Sequence, residues 1–136
     1  MKILITGASG FIGSHLVSYF KIQHYDVIAV SRRSIDTFSC NNLISSFSSV
    51  YAYDTENFIE SVRISDIIIH CAFSAHKMRS EPHYEGLISS YLLCRQVAKL
   101  ANKFSKKLVF LSSISVLGTD HLNDLYLTPL SPVNPS

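Results

Sequence analysis

Thr6-Gly7-Ala8-Ser9-Gly10-Phe11-Ile12-Gly13 decides how the rest of this 136-residue sequence is read. It follows Met1-Lys2-Ile3-Leu4-Ile5, a short aliphatic run stopped by glycine, the pattern of a buried strand. Beyond it the period changes: Phe11, Ile12, Leu16, Val17 and Phe20 recur at the three- and four-residue steps of a helix. A glycine-rich turn between a strand and a helix makes a phosphate cradle. The helix start offers N–H groups without intrahelical partners and the positive end of its dipole. Glycines there permit a tight turn, close approach of backbone to pyrophosphate, and close packing of helix on strand. The spacing of Gly7, Gly10 and Gly13 is G-x-x-G-x-x-G, whereas the usual dinucleotide fingerprint is G-x-G-x-x-G. An ordinary βα turn also accommodates three such glycines, so the surrounding chain has to decide.

Outward from this turn the pattern alternates. A second strand is expected over Tyr25-Asp26-Val27-Ile28-Ala29-Val30, and a weak helix in the serine-rich stretch 34–49, where Phe38, Leu43, Ile44 and Phe47 are the apolar residues. Val50-Tyr51-Ala52-Tyr53 reads as a short third strand, followed by a helix over 55–62 with Thr55 as its N-cap. Asp66-Ile67-Ile68-Ile69-His70-Cys71 is nearly continuous in apolar residues, which suits a central parallel strand. A polar loop over 74–83 leads to a long helix over 83–104, with Leu87, Ile88, Tyr91, Leu92, Ala98 and Ala101 expected on its buried side. Lys107-Leu108-Val109-Phe110-Leu111-Ser112 is the fifth strand, and the proline-containing remainder reads as loop. Repeated strand–helix alternation implies a parallel sheet, because parallel neighbours need crossover connections. The expected architecture is a single α/β domain over 1–136, a doubly wound sheet of five strands in order 3-2-1-4-5. Its ligand crevice lies at the carboxyl ends of strands 1 and 4.

Composition narrows the function classes. Apolar residues make up 47% and charged residues 16%, so the chain can build a core and is not a disordered segment. The net charge of +2, with no basic run, gives no footprint for nucleic acid or an anionic membrane. No apolar stretch approaches a membrane span. Cys40, Cys71 and Cys94 are odd in number and lack C-x-x-C spacing, which points to reduced thiols in a cytoplasmic protein and to no metal site.

Thr-Gly-Ala-Ser-Gly-Phe-Ile-Gly-Ser at the start of a chain resembles the extended short-chain dehydrogenase/reductase family, which includes nucleotide-sugar epimerases, dehydratases and reductases. The resemblance implies a Rossmann-type fold and an NAD(P) cofactor. Gly7, Gly10, Phe11, Ile12 and Gly13 would hold its pyrophosphate. Asp66-Ile67-Ile68-Ile69-His70-Cys71-Ala72 resembles the family's D-x-V-I-H-x-A strand, which implies that Cys71 and Ala72 border the ribose and nicotinamide, with Phe73 nearby. Asp54 matches the position where an acidic side chain meets the adenine amino group; a charge favoured by a helix N-terminus explains it equally. Phe110-Leu111-Ser112-Ser113-Ile114-Ser115-Val116-Leu117-Gly118 looks like the family's S-S-x-x-V-Y-G segment, with Leu117 in place of the tyrosine. By that match Ser113 hydrogen-bonds the reacting sugar oxygen.

The end of strand 2 chooses between cofactors, since an acid there binds ribose hydroxyls and arginine accommodates a 2′-phosphate. Ser31 stands where the acid would be, followed by Arg32 and Arg33, so NADP is preferred over NAD unless both arginines are solvated loop charges. His70 is read as a buried strand-end histidine and not a base; the resemblance places His76 in the loop that borders the substrate, and a solvated loop histidine is the other reading. The family's chemistry also requires Tyr-x-x-x-Lys, in which the lysine lowers the pKa of a tyrosine acid/base. No tyrosine here has a lysine four residues on; Tyr91 with Arg95 is the nearest imitation. The chain is therefore expected to be the cofactor-binding part of a nucleotide-sugar enzyme, truncated before the sixth strand and the catalytic helix. The alternative is a non-catalytic NAD(P)-binding module. An S-adenosylmethionine-binding domain of similar topology is disfavoured by the triple-glycine spacing and the serine segment. The open edge of strand 5 would expose Leu108 to Leu111 and promote self-association.

Overall fold

A computed structural model describes residues 1–31, 46–49, 55–73 and 84–112, with 46–49 and 84–87 described through their backbone alone. The elements are β1 (Lys2–Thr6), α1 (Phe11–Ile22), β2 (Asp26–Ser31), β3 (Ser46–Ser49), α2 (Glu56–Ile64), β4 (Ile67–His70), α3 (Tyr84–Lys103) and β5 (Lys107–Phe110). Strands β2-β1-β4-β5 form the body of a parallel sheet, and the short β3 lies beside β2, giving the order β3-β2-β1-β4-β5. β1 runs between β2 and β4, with Thr6 opposite Val30 on one side and His70 on the other. Alternate strand residues serve opposite faces. Leu4, Ile28, Val30 and Ile68 pack with Phe58 and Val62 of α2 and Val97, Leu100 and Ala101 of α3. Ile3, Ile5, Val27, Ala29 and Ile69 pack on the other face with Ala8 and Val17. Burial on both faces is why these strands read as continuous apolar runs.

The helices are closed by recognisable devices. The Thr55 side chain caps α2 by accepting the Phe58 N–H. α1 ends where the Tyr25 N–H reaches Phe20 O and the His24 N–H reaches Lys21 O, with His24 left-handed at φ 61°. α3 ends in the same way: the Lys106 N–H reaches Ala101 O, the Ser105 N–H reaches Asn102 O, and Ser105 has φ 52°. Both are Schellman closures, built here without glycine. The Lys2 N–H donates to Asp66 Oδ2 at 2.7 Å, and the Asp66 N–H to Lys2 O at 2.8 Å, tying the chain entering β4 to the start of β1.

Two expectations need correction. Periodicity places Phe47 in a weak helix, but residues 46–49 pair with β2 as a strand, because the edge of β2 offers backbone partners that a serine-rich stretch cannot supply to itself as a stable helix. The third strand thus lies at 46–49; the expected positions 50–53 fall outside the described residues. The long helix presents another face to the core. Ser90, Val97, Leu100 and Ala101 are buried, while Ile88, Tyr91, Leu92 and Ala98 are exposed; of the expected residues whose side chains are described, Ala101 alone lies inside. This helix carries two apolar stripes, and periodicity alone does not say which one meets the sheet. Among the described residues no helix is long and apolar enough to cross a membrane.

Candidate functional site

The carboxyl ends of β1 and β4 meet at the glycine turn. Gly7 has φ 67°, a left-handed conformation that a side chain would strain. A Cβ there would stand 2.7 Å from both Cα and N of Ala72 and 2.8 Å from the Cys71 carbonyl carbon. The turn and the exit of β4 are therefore in backbone contact, and the Cys71 N–H donates to Thr6 O at 3.2 Å. At Gly13, a Cβ would collide with Gly7 O and lie 2.8 Å from Gly7 C, so the helix start is pressed onto the turn.

What this packing leaves open is the first turn of α1. Its first bond after the cap is Ser14 N–H to Gly10 O at 2.9 Å, so the Phe11, Ile12 and Gly13 N–H groups precede any intrahelical acceptor. The cap residue, Gly10, supplies no side-chain hydrogen bond, and the first turn holds no acidic residue. α2 differs on both counts, with a Thr55 cap and Glu56 in its first turn. The start of α1 thus keeps its amides and its dipole for an external anion. Phe11 and Ile12, 82% and 53% exposed, project apolar surface beside these amides. The Phe11 ring lies tilted at 53° against that of His15, with centroids 4.7 Å apart, and the His15 Nδ1–H donates to Phe11 O.

On the β2 side, Ser31 is buried and donates its hydroxyl to Ser9 Oγ at 2.6 Å. The end of β2 is thereby joined to the glycine turn by neutral hydroxyls in place of a carboxylate. On the β4 side, Cys71 and Ala72 are half-buried and Phe73 is exposed. Burial pushes the Cys71 thiol pKa up, which keeps it protonated and a poor nucleophile. His70 is buried, and desolvation lowers its pKa, so the imidazole is neutral near pH 7. Its Nδ1 shares a 2.7 Å hydrogen bond with Thr6 Oγ1, and its ring stacks on Phe110. The expectation of a buried structural histidine agrees with this placement.

The structure packs Gly7, Gly10 and Gly13 of the turn against one another and Gly7 against Cys71 and Ala72, with Phe11 and Ile12 next along α1 and Phe73 next after Ala72. Arg32, Arg33, Asp54, His76 and Ser113 lie outside the described residues. Tyr91 and Arg95 are both exposed on α3. Sequence reasoning passed over Thr6 and Ser9. The signal that would have found them is their position: each is a hydroxyl residue in or beside the glycine turn, within hydrogen-bond reach of the end of a neighbouring strand.

Known proteins share the fold described above. A sequence model of the NAD dependent epimerase/dehydratase family matches residues 3–135. The chain is 27% identical over 143 aligned residues to dTDP-6-deoxy-L-talose 4-dehydrogenase (NAD(+)) of Aggregatibacter actinomycetemcomitans, covering 99% of this chain and 48% of that enzyme. A short-chain dehydrogenase/reductase superfamily protein of Agrobacterium tumefaciens, solved with bound NAD, superposes with a TM-score of 0.77 at 17% identity. That match covers 100% of this chain and 40% of the other. UDP-glucose 4-epimerase of Thermotoga maritima, solved with UDP-glucose, gives a TM-score of 0.76 at 20% identity, over 100% of this chain and 45% of that one. The chain thus spans about half the length of the curated dehydrogenase, and less than half of either solved structure.

Proposed function

The chain belongs to the NAD dependent epimerase/dehydratase family, and from that premise we propose that it binds a nicotinamide dinucleotide across the β1–β4 crevice. The observation that carries this reading is the start of α1, without a side-chain cap or an acidic residue and packed tightly on Gly7. The Phe11, Ile12 and Gly13 amides would hold the pyrophosphate, and Cys71, Ala72 and Phe73 would flank the ribose and nicotinamide. When bound, the nicotinamide supplies a hydride acceptor and donor. The protein's part is to orient that ring and exclude water from it.

Relatives of the chain include enzymes that act on nucleotide sugars, and hydride transfer at a sugar carbon is the proposed activity of the complete enzyme, with Ser113 polarising the sugar oxygen. We also propose a preference for NADP. The end of β2 carries Ser31, bonded to Ser9, where a carboxylate would repel a 2′-phosphate, and Arg32 and Arg33 follow in sequence. Thermal denaturation with each dinucleotide tests both proposals. Ligand at 100 times its Kd stabilises by about 2.7 kcal/mol. An unchanged Tm with all four oxidised and reduced forms at millimolar concentration refutes dinucleotide binding; equal shifts by NAD and NADP refute the preference.

A second reading is favoured by one observation: no Tyr-x-x-x-Lys occurs in these 136 residues. In that reading the chain binds a dinucleotide without turnover of its own, and reduction of the cofactor by a nucleotide sugar would exclude it. Self-association is proposed through β5, where Val109 and Phe110, with Leu111 just beyond, are 39%, 53% and 39% exposed at the sheet edge. A monodisperse monomer in sedimentation at high concentration would contradict it.

A further inference from the structure

The last rung of the sheet departs from those below it. On the face covered by α2 and α3, one rung reads Ile28-Leu4-Ile68-Leu108 across β2, β1, β4 and β5, all aliphatic. The next reads Val30-Thr6-His70-Phe110. Thr6 is fully buried and His70 is 3% exposed, so a hydroxyl and an imidazole occupy places that two β-branched aliphatics would fill without losing hydration. They share a hydrogen bond of 2.7 Å, whose direction follows the imidazole tautomer. The His70 ring lies nearly parallel to that of Phe110, at 19°, with centroids 5.9 Å apart. One residue further along, the backbones of Gly7 and Cys71–Ala72 come into contact. Aliphatic packing is non-directional and tolerates small slips, whereas a hydrogen bond between buried partners fixes one distance.

We infer that the Thr6–His70 pair is a clamp holding the glycine turn against the exit of β4, with His70 a positioning residue for the crevice. The inference rests on the reading of that crevice as a dinucleotide site, but the clamp itself is observable without ligand. Burial keeps the imidazole neutral, the form that can both accept and donate here. The stack on Phe110 extends the same restraint to the end of β5.

The test uses the full chain and three substitutions. T6V removes the hydrogen bond with little change of volume, and H70F removes it while keeping a flat ring, though a larger one. H70N keeps a side-chain amide near the place of Nδ1. Amide hydrogen exchange is read at Ala8 and Cys71, which donate to Val30 O and Thr6 O, and at Leu4 and Ile69 in mid-sheet. T6V and H70F should each speed exchange at Ala8 and Cys71 about tenfold over the mid-sheet amides, and H70N less than about threefold. The T6V/H70F double variant should go no further than either single one. NAD and NADP affinities should fall in the same order. Equal acceleration at all four amides, additive effects in the double variant, or unchanged exchange in T6V overturns the clamp. If a variant does not fold, the ring nitrogen spectrum of the unsubstituted protein decides: a His70 Nδ1 with the shift of a nitrogen outside any hydrogen bond overturns it as well. Exchange that follows the expected pattern in a protein that binds no dinucleotide supports the clamp and refutes the cofactor reading.

Discussion

Replacing Gly13 by alanine puts a single methyl group into the tightest contact at the crevice. The new Cβ would collide with Gly7 O, stand 2.8 Å from Gly7 C and 2.9 Å from Ala8 Cα. All three are backbone atoms, so no rotamer change relieves the overlap. The Gly7 C contact alone must open to about 3.4 Å, which means moving α1 off the turn or bending the turn itself. Overpacking of this kind costs about 3 kcal/mol. Alanine in the first turn of a helix recovers at most about 1 kcal/mol relative to glycine, leaving a net loss of about 2 kcal/mol. For a domain of this size, that lowers Tm by about 6–10 °C. Circular dichroism melting measures it, with G10A as an internal control. A Cβ at Gly10 meets only Gly7 O, at 3.2 Å, so G10A should cost less than about 1 kcal/mol, mostly through the cap. If G13A melts with the unsubstituted protein, or G10A is the more damaging of the two, the turn is not packed as described.

Other perturbations have definite expected outcomes. T55A removes the side-chain cap of α2; the Phe58 bond is long at 3.4 Å, so the urea midpoint should fall by the equivalent of only about 0.5–1 kcal/mol. His70 has a lowered pKa when folded, so above about pH 6.5 it is neutral in both states and pH has no effect through it. As pH falls below that value the unfolded chain takes up a proton that the folded chain resists, and stability declines toward the folded pKa; H70F should flatten this limb of the stability curve. The Cys71 thiol, held protonated by burial, should react with iodoacetamide at pH 8 at least about tenfold more slowly than a cysteine peptide, and more slowly still with dinucleotide bound. Peptide mapping of the alkylated protein checks this, and a Cys71 that reacts like the peptide would refute it.

Strands β1, β2 and β4 were legible because burial on both faces leaves an unbroken aliphatic run, and the glycine turn because steric demands admit few other residues. Thr55 was legible as a cap because a hydroxyl ahead of an amphipathic segment has few other uses. β3 was not, since its pairing to β2 is a property of the neighbour's edge and not of the sequence Ser46–Ser49. The face of α3 was misread because Ile88, Tyr91 and Leu92 form as regular a stripe as Leu93, Val97 and Leu100, and only the sheet selects between them. At the site, the glycines and the exit of β4 followed from local pattern. The Thr6–His70 and Ser9–Ser31 bonds did not, for each joins residues far apart in sequence, and nothing near either partner announces the other.

The two Schellman closures carry a consequence for how this sequence can change. His24 and Ser105 each hold a left-handed backbone at the joint where a helix turns back into a strand, and a side chain there costs about 1–2 kcal/mol. Both residues are exposed. Glycine at either joint would relieve much of that cost without touching core or crevice. The fold therefore holds an unused margin of stability in two surface positions, enough together to offset a substitution as damaging as G13A. A lineage that acquired those glycines first could then explore changes at the crevice that the present sequence would not survive.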